Sequence, residues 1–259
     1  MNRREFLKAL ASGMLFSQNL WAFGFGLEPR AKKYDFYFAQ LVYGKGLEWN
    51  PHPASARTLA ELLRTRTSIP ACPERVDISP LDANLFQYPF LYWSGTDAFE
   101  PLSEAFIIRL RKWFDAGGFM LVDDALAQPE SGFDQSVRRE IKRIFPEEKL
   151  TRLPSDHTVF QSFYLLDKVV GRKAVVPYLS GVNRGDLTIL IYSQNDLAGA
   201  IDRTSSGEWR YNCEPGGEHQ RELAIRLFIN IILYALTANY KKDLIHIPFI
   251  SERRKKRPR

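Results

Sequence analysis

The alternation of short apolar runs with amphipathic segments is the feature that most constrains how this chain can fold. Residues 88–93 (YPFLYW) and 119–122 (FMLV) are continuous apolar runs, a pattern typical of strands buried on both faces. Between them, Ser103 precedes a segment with apolar residues at helical spacing, which predicts a capped helix ending near Asp115. A buried strand, a helix and a buried strand in succession predict a parallel sheet covered by helices.

The same alternation extends along the chain. Further strands are predicted at 34–43, 76–78 and 187–192, and further helices at 54–66, 133–145 and 222–237. The sequence therefore predicts one α/β domain with a mostly parallel sheet and helices on both faces. In such folds, the loops at the carboxyl ends of the strands build the binding site, and here these loops begin at Gly44, Gly95, Asp123 and Ser193.

The positive charge of the chain lies at its two ends. The formal net charge is +6, but residues 252–259 alone carry six basic residues against Glu252, and residues 1–24 carry Arg3, Arg4 and Lys8 against Glu5. The intervening body, 25–251, has a net charge of −1. This distribution argues against a basic nucleic-acid-binding body, so we expect no nucleic-acid partner.

The N-terminal residues predict an export signal. Arg3-Arg4-Glu5-Phe6-Leu7-Lys8 precedes a moderately apolar stretch that ends near Phe23, and it resembles the bacterial twin-arginine motif. We expect residues 2–8 to engage the twin-arginine translocase and the protein to face the periplasm. The small residues Ala22 and Gly24 predict cleavage after residue 24; without cleavage, the protein remains anchored. The alternative is an ordinary amphipathic N-terminal helix.

Three features outside the core leave alternatives open. The basic tail 252–259 is either a solvated, disordered end or a weak contact with anionic lipid head groups. Cys72 and Cys213 either form a disulfide or stay as free thiols. No cluster of Cys and His has metal-ligand spacing, so no metal site is expected and no cofactor is indicated.

A set of short blocks along 33–238 carries a family resemblance. These blocks are Trp49-Asn50-Pro51, Tyr88-Pro89-Phe90-Leu91-Tyr92, Gly117-Gly118-Phe119, Asp123-Asp124, Asp156-His157 and Tyr192-Ser193-x-Asn195-Asp196. Together they resemble an uncharacterised family of exported or membrane-associated bacterial proteins that is known only as a domain of unknown function. That family is similar to the class I glutamine amidotransferase-like superfamily, near its trehalose-utilisation type. The resemblance implies a flavodoxin-like, doubly wound sheet, and it implies no activity.

The chain departs from the amidotransferase pattern at the nucleophile. Those enzymes place a Cys in a tight turn between a strand and a helix, and neither Cys72 nor Cys213 has that context. A G-x-S-x-G elbow is also missing, and Gly44-Lys45-Gly46 is not completed to G-x-G-x-x-G. These departures favour a catalytically degenerate domain that binds a polar small molecule or a protein of the cell envelope.

The alternative is a hydrolase-like enzyme that acts on a carbohydrate or an amide. Its candidate catalytic residues are Asp123 and Asp124, at the end of a buried strand, and His157, which could act as a general base. Each also has a structural interpretation, as a loop cap or a histidine bonded to backbone. The candidate ligand-binding residues, all in predicted site loops, are Trp49, Gly95, Thr96, Ser193, Asn195 and Asp196.

Overall fold

The computed structural model describes residues 34–255, with side chains described as far as residue 237. The predicted signal at 1–24 and the end of the basic tail lie outside the described residues. The strands are β1 (Ala39–Leu41), β2 (Val76–Ile78), β3 (Phe90–Gly95), β4 (Phe119–Asp124), β5 (Leu150–Arg152), β6 (Ser180–Arg184) and β7 (Leu187–Ser193). The helices are α1 (Ser55–Arg66), α2 (Glu104–Asp115), α3 (Gly132–Ile144) and α4 (Gly217–Lys255), with short 3-10 helices at Leu85–Gln87 and Thr158–Gln161.

The seven strands form one sheet in the order β2-β1-β3-β4-β7-β6-β5. The first five strands in that order are parallel, whereas β6 pairs antiparallel with β7 and β5 pairs antiparallel with β6. The chain moves from β1 outward to β2 and then returns to place β3 on the other side of β1. The loops after β1 and β3 therefore leave the carboxyl edge of the sheet in opposite directions, which opens a crevice between them.

Each face of the sheet is covered by a separate apolar core. Alternate strand residues such as Tyr92 and Leu121 pack with α1 and α4 on one face, and their neighbours such as Trp93 and Val122 pack with α2 and α3 on the other. This alternation follows from the two-residue period of a strand, and it explains why the central strands are apolar throughout. The predicted mixed α/β fold with a mostly parallel sheet is confirmed.

Several element bounds differ from the sequence-based expectation. The strand predicted at 34–43 is regular only over Ala39–Leu41, with an isolated bridge from Phe36 to Ala71. The hairpin of β6 and β7, closed at Gly185, and the edge strand β5 were not predicted. The strand β5 (Leu-Thr-Arg) has a single apolar residue and the exposed end of β6 is polar, so both are too short to show the apolar pattern on which strand prediction rests.

The last helix is longer than predicted, because α4 begins at Gly217 rather than at Glu222 and continues to Lys255. Within the described residues, no helix is both long enough and apolar enough to cross a membrane. Cys72 and Cys213 are free thiols, which resolves the alternative left open by the sequence.

Candidate functional site

Asp123 lies at the carboxyl end of β4 with its side chain fully buried. Its Oδ2 accepts hydrogen bonds from the Tyr92 hydroxyl at 2.8 Å and from the Ala198 amide at 2.9 Å, and its Oδ1 accepts one from the Leu197 amide at 3.0 Å. The carboxylate thus joins the central strands to the loop that follows β7. A carboxylate held by three donors is built into the structure and has little capacity left for a substrate.

Burial and a neighbouring carboxylate disfavour the ionised form of Asp123. Burial, followed by the negative charge of Asp196, raises the pKa of Asp123 to about 6, although the three hydrogen bonds favour the ionised form. Two carboxylates at one buried location are costly unless cations offset them. The neighbouring residues supply those cations.

Asp196 lies in the loop after β7, in a left-handed backbone conformation with φ of 58°. Its Oδ1 accepts a hydrogen bond from the Gly199 amide at 2.9 Å and lies 2.8 Å from Nε2 of His52. Its Oδ2 pairs with the Arg172 guanidinium. Asp and Asn tolerate this backbone conformation better than most residues, because their short side chains can bond to the local backbone, as happens here.

Asp202 connects the same region to the start of α1. Its Oδ1 accepts a hydrogen bond from the Ala54 amide at 2.9 Å, and its Oδ2 accepts one from Nε of Arg210 at 2.6 Å. Ala54 has no side chain that could cap α1, so a carboxylate distant in sequence caps the helix. We refer to the following residues as the buried ion cluster: His52, Asp123, Asp196 and Asp202, with the partly exposed Arg172 and the exposed Arg210 at its rim.

His52 is the titratable centre of the buried ion cluster. Burial alone would lower its pKa, but the contact with Asp196 and the charges of Asp196, Asp123 and Asp202 together raise the pKa above its usual value. Only 7% of His52 is exposed, and its ring packs edge-on against Tyr211. A histidine so enclosed can hold the loops together, but it does not face a substrate from solvent.

Asp124 points to the opposite face of the sheet from Asp123. Its Oδ1 accepts hydrogen bonds from the Leu126 and Ala127 amides at 3.0 and 3.2 Å, which is the loop-capping role considered from the sequence. Its Oδ2 is buried and has no hydrogen-bond partner within the described part of the chain. Burial raises the pKa of Asp124 to about 7, with a smaller contribution from the charge of Asp123.

His157 lies near the start of β7, at the opposite end of the parallel strands from Asp123. Its Nε2 is 2.9 Å from the Thr188 hydroxyl at the start of β7, and its Nδ1 accepts a hydrogen bond from the Val159 amide at 3.1 Å. Asp123 pairs with Ser193 at the far end of that strand, five positions from Thr188 and thus about 16 Å away. The structure therefore does not bring His157 together with Asp123 and Asp124, and both of its ring nitrogens are used locally.

Two of the predicted ligand-binding residues shape the loop after β7. Asn195 is fully buried; its Oδ1 accepts hydrogen bonds from the Val175 and Val176 amides at 2.9 Å each, and its Nδ2 donates to the Val176 carbonyl at 2.7 Å. Ser193 is also buried, and its hydroxyl accepts a hydrogen bond from the Asn195 amide at 3.4 Å. Together with Asp196, these residues have their polar atoms directed toward the protein itself.

The other three predicted ligand-binding residues flank the loops after β1 and β3. Trp49 donates from Nε1 to the Gly46 carbonyl at 2.7 Å and is 8% exposed, so it closes its own loop. Gly95 has no room for a side chain, because an added Cβ would lie 2.2 Å from the Tyr43 hydroxyl. Thr96 is partly exposed and donates to Asp97 at 2.8 Å.

A cavity of about 840 Å³ opens between the loops after β1 and β3. This is the crevice where the strand order reverses, and its volume lies in the range typical of small-molecule sites. The side chains and glycine that give it its chemical character are Tyr43, Gly44, Lys45, Glu48, Phe99, Glu100, Ser103 and Phe106. We call this space the crossover cavity.

The sequence predicts the two loops of the crossover cavity, but not the side chains that line it. Gly44 and Gly95 are predicted as loop starts, whereas the predicted ligand-binding residues do not include Tyr43, Glu48, Phe99 or Phe106. Tyr43, Glu48 and Phe99 lie within four positions of those loop starts, whereas Phe106 lies in the first turn of α2. The order of the strands had to be known before these two loops could be recognised as facing each other.

The geometry defines a mixed α/β domain with a buried ion cluster and an open cavity at the carboxyl edge of its sheet. In the part of the chain that is described, no group of three or more His, Cys, Asp or Glu side chains is arranged to hold a metal ion. The family described as domain of unknown function (DUF4159) matches residues 37–236, and the chain belongs to this family. No curated protein matches the chain.

Proposed function

We propose that this protein is a non-catalytic binding module that takes a small polar ligand in the crossover cavity. The observation that carries the proposal is the location of this cavity at the reversal of strand order, where open α/β sheets bind their ligands. The cavity combines partly exposed aromatic rings with charged side chains, whereas the carboxylates Asp123 and Asp196 are saturated by the protein. Binding without covalent chemistry is the activity that this arrangement supports best.

The proposal also holds that the domain is a flavodoxin-like, doubly wound member of the amidotransferase-like superfamily that has lost its catalytic residues. The strand order of the five parallel strands and the helices on both faces support this relationship. Cys213 is buried with a raised pKa, the opposite of an activated nucleophile. A hydrolase that uses Asp123 or Asp124 with His157 would need these groups within about 3 Å or one bridging water, and they lie much farther apart.

A thermal-shift screen against sugars, nucleotides, amino acids and organic cations tests the binding proposal. A ligand that binds only the folded state raises its stability by RT ln(1 + [L]/Kd), about 2.7 kcal/mol at one hundred times Kd. We expect at least one class to raise the melting temperature in a saturable manner. Hydrolysis of a sugar or amide substrate by the purified protein, lost in Asp124→Asn, would instead support the enzyme.

We further propose that the protein acts in the cell envelope after export through the twin-arginine pathway. The proposal rests on Arg3 and Arg4 before the apolar stretch. Replacing both arginines with lysine should retain the protein in the cytoplasm, whereas the same replacement at Arg30 and Arg64 should leave export unchanged. Normal export of the twin-lysine variant would exclude this pathway.

The basic tail supplies a weak contact with anionic membrane surfaces in this proposal. Residues 253–259 contribute six basic side chains, each worth about 1 kcal/mol near an anionic surface. The full chain should sediment with vesicles that contain anionic lipid and not with neutral ones, and salt should release it. Truncation after Ser251 should abolish this binding; vesicle binding that survives truncation would contradict the role of the tail.

A further inference from the structure

The crossover cavity has a chemical character that narrows the class of its ligand. Three aromatic side chains line it, namely Tyr43, Phe99 and Phe106, and each is partly exposed. The rings of Tyr43 and Phe99 lie 4.7 Å apart between centroids and are tilted by 51°. The face of an aromatic ring attracts cations, and these three rings are the aromatic surface that the cavity offers to a ligand.

The charged residues of the cavity wall also favour a positively charged ligand. Glu48 and Glu100 line the cavity against the single cation Lys45, which leaves the wall negative. Burial and then the charges of Glu48 and Asp97 raise the pKa of Tyr43, so its hydroxyl stays protonated beside these carboxylates. An anionic ligand would be repelled by these carboxylates, and a neutral ligand would leave them unused.

One of these rings already binds a cation within the protein. The guanidinium of Arg139 lies 5.7 Å from the centre of the Phe99 ring and lines a second, adjoining cavity of about 500 Å³. Phe99 lines both cavities, whereas Arg139 lines only the second. Arg139 is bound to Glu140 and to the Phe99 carbonyl, so it stays on its own side of the ring.

We propose that the crossover cavity binds an organic cation, an ammonium group carried on a small aliphatic or aromatic body. The aromatic rings contact the methyl or methylene groups around the nitrogen, and the carboxylates of Glu48 and Glu100 neutralise its charge. This inference rests on the proposed binding function and assigns the ligand class for the same cavity.

Calorimetric titration with choline and with its uncharged isostere 3,3-dimethyl-1-butanol tests the assignment. The two probes share a shape and differ in charge, so we expect choline to bind at least about tenfold more tightly, which corresponds to about 1.4 kcal/mol. Inorganic phosphate should not bind. Equal binding of the isostere, or tighter binding of phosphate, would overturn the cationic class while leaving a ligand-binding cavity in place.

Matched variants show whether binding occurs in this cavity. Glu48→Gln, Glu100→Gln and Phe106→Leu should each weaken choline binding by about threefold to tenfold. The control variants Glu61→Gln on α1 and Phe86→Leu on the first 3-10 helix change the same residue types at exposed positions away from the cavity, and they should leave binding unchanged. Equal effects in variants and controls would overturn the proposal. Failure of every probe in the broader screen would instead remove the binding function itself.

Discussion

Nε2 of His52 lies 2.8 Å from Oδ1 of Asp196, and this contact joins the loop before α1 to the loop after β7. Both side chains are buried, and Arg172 approaches the other carboxylate oxygen. The charge of Asp196 also raises the pKa of Asp123 at the end of β4. Asp196 therefore interacts with both the loop before α1 and the end of β4. These groups hold the loops at the carboxyl edge of the sheet together.

Replacing His52 with glutamine should destabilise the protein by about 3 kcal/mol near pH 6, because it leaves buried carboxylates with one cation fewer. The raised pKa of His52 means that the protonated form stabilises the fold below about pH 6.5, and that this contribution disappears as the pH rises through the folded-state pKa. The difference from the unchanged protein should therefore shrink at pH 9. Urea unfolding at both pH values measures it, with the exposed His219→Gln as control.

Asp124 should make the protein less stable as the pH rises. Its pKa is about 7 in the folded protein against 3.8 for the unperturbed group, so its contribution to stability is complete below pH 3.8 and is lost as the pH rises to about 7. The change in unfolding free energy caused by Asp124→Asn, relative to the unchanged protein, should therefore be more favourable at pH 8 than at pH 4 by about 2–4 kcal/mol. A pH-independent difference, like that expected for exposed Asp186→Asn, would contradict the buried carboxylic acid.

Asn195 should contribute strongly to stability, because its side-chain amide is hydrogen-bonded within the protein. Asn195→Ala leaves the amides of Val175 and Val176 and the carbonyl of Val176 without their side-chain partner, at a cost of about 3 kcal/mol. Hydrogen exchange at the two valine amides should accelerate, and urea unfolding should shift to lower concentration. The exposed Asn212→Ala should do neither; unchanged exchange in Asn195→Ala would contradict this role.

Gly95→Ala should disturb the crossover cavity by displacing Tyr43. The added methyl group would lie 2.2 Å from the Tyr43 hydroxyl and 2.6 Å from the Phe133 ring, so we expect a loss of about 2 kcal/mol in unfolding free energy and weaker ligand binding. Combining it with Tyr43→Phe removes the closest atom and should restore part of the stability. A double variant no more stable than Gly95→Ala would show that Tyr43 is not the obstacle.

The sequence predicted the parallel core of this fold because its buried strands are continuously apolar. Tyr92 and Val122 lie in such strands. Ser103 caps α2, as the sequence pattern predicts, because its hydroxyl accepts a hydrogen bond from the Phe106 amide. The antiparallel strand β5 could not be predicted, since it has three residues, of which only Leu150 is apolar. The residues of a short strand do not by themselves indicate a pairing that depends on another strand.

The candidate site was predictable only in part. Asp123 and Asp196 were identified because they follow buried strands, and the structure places them at one location. The partnership of His52 with Asp196 spans 144 positions and has no local signature. The crossover cavity depends on the strand order, which is a property of the whole chain, so Glu48 and Phe106 could be recognised only from the fold.

The central claim is that a small polar ligand binds in the crossover cavity, and blocking the cavity tests it most directly. Ala98 is exposed and lines both the crossover cavity and the adjoining one, so Ala98→Trp should obstruct this space without disturbing the core. Ala116→Trp places the same side chain at the far end of α2. Thermal shifts are measured with glucose, adenosine monophosphate, glycine and choline. We predict that a saturable shift in the unchanged protein persists in Ala116→Trp and disappears in Ala98→Trp; an equal shift in all three proteins would contradict the claim.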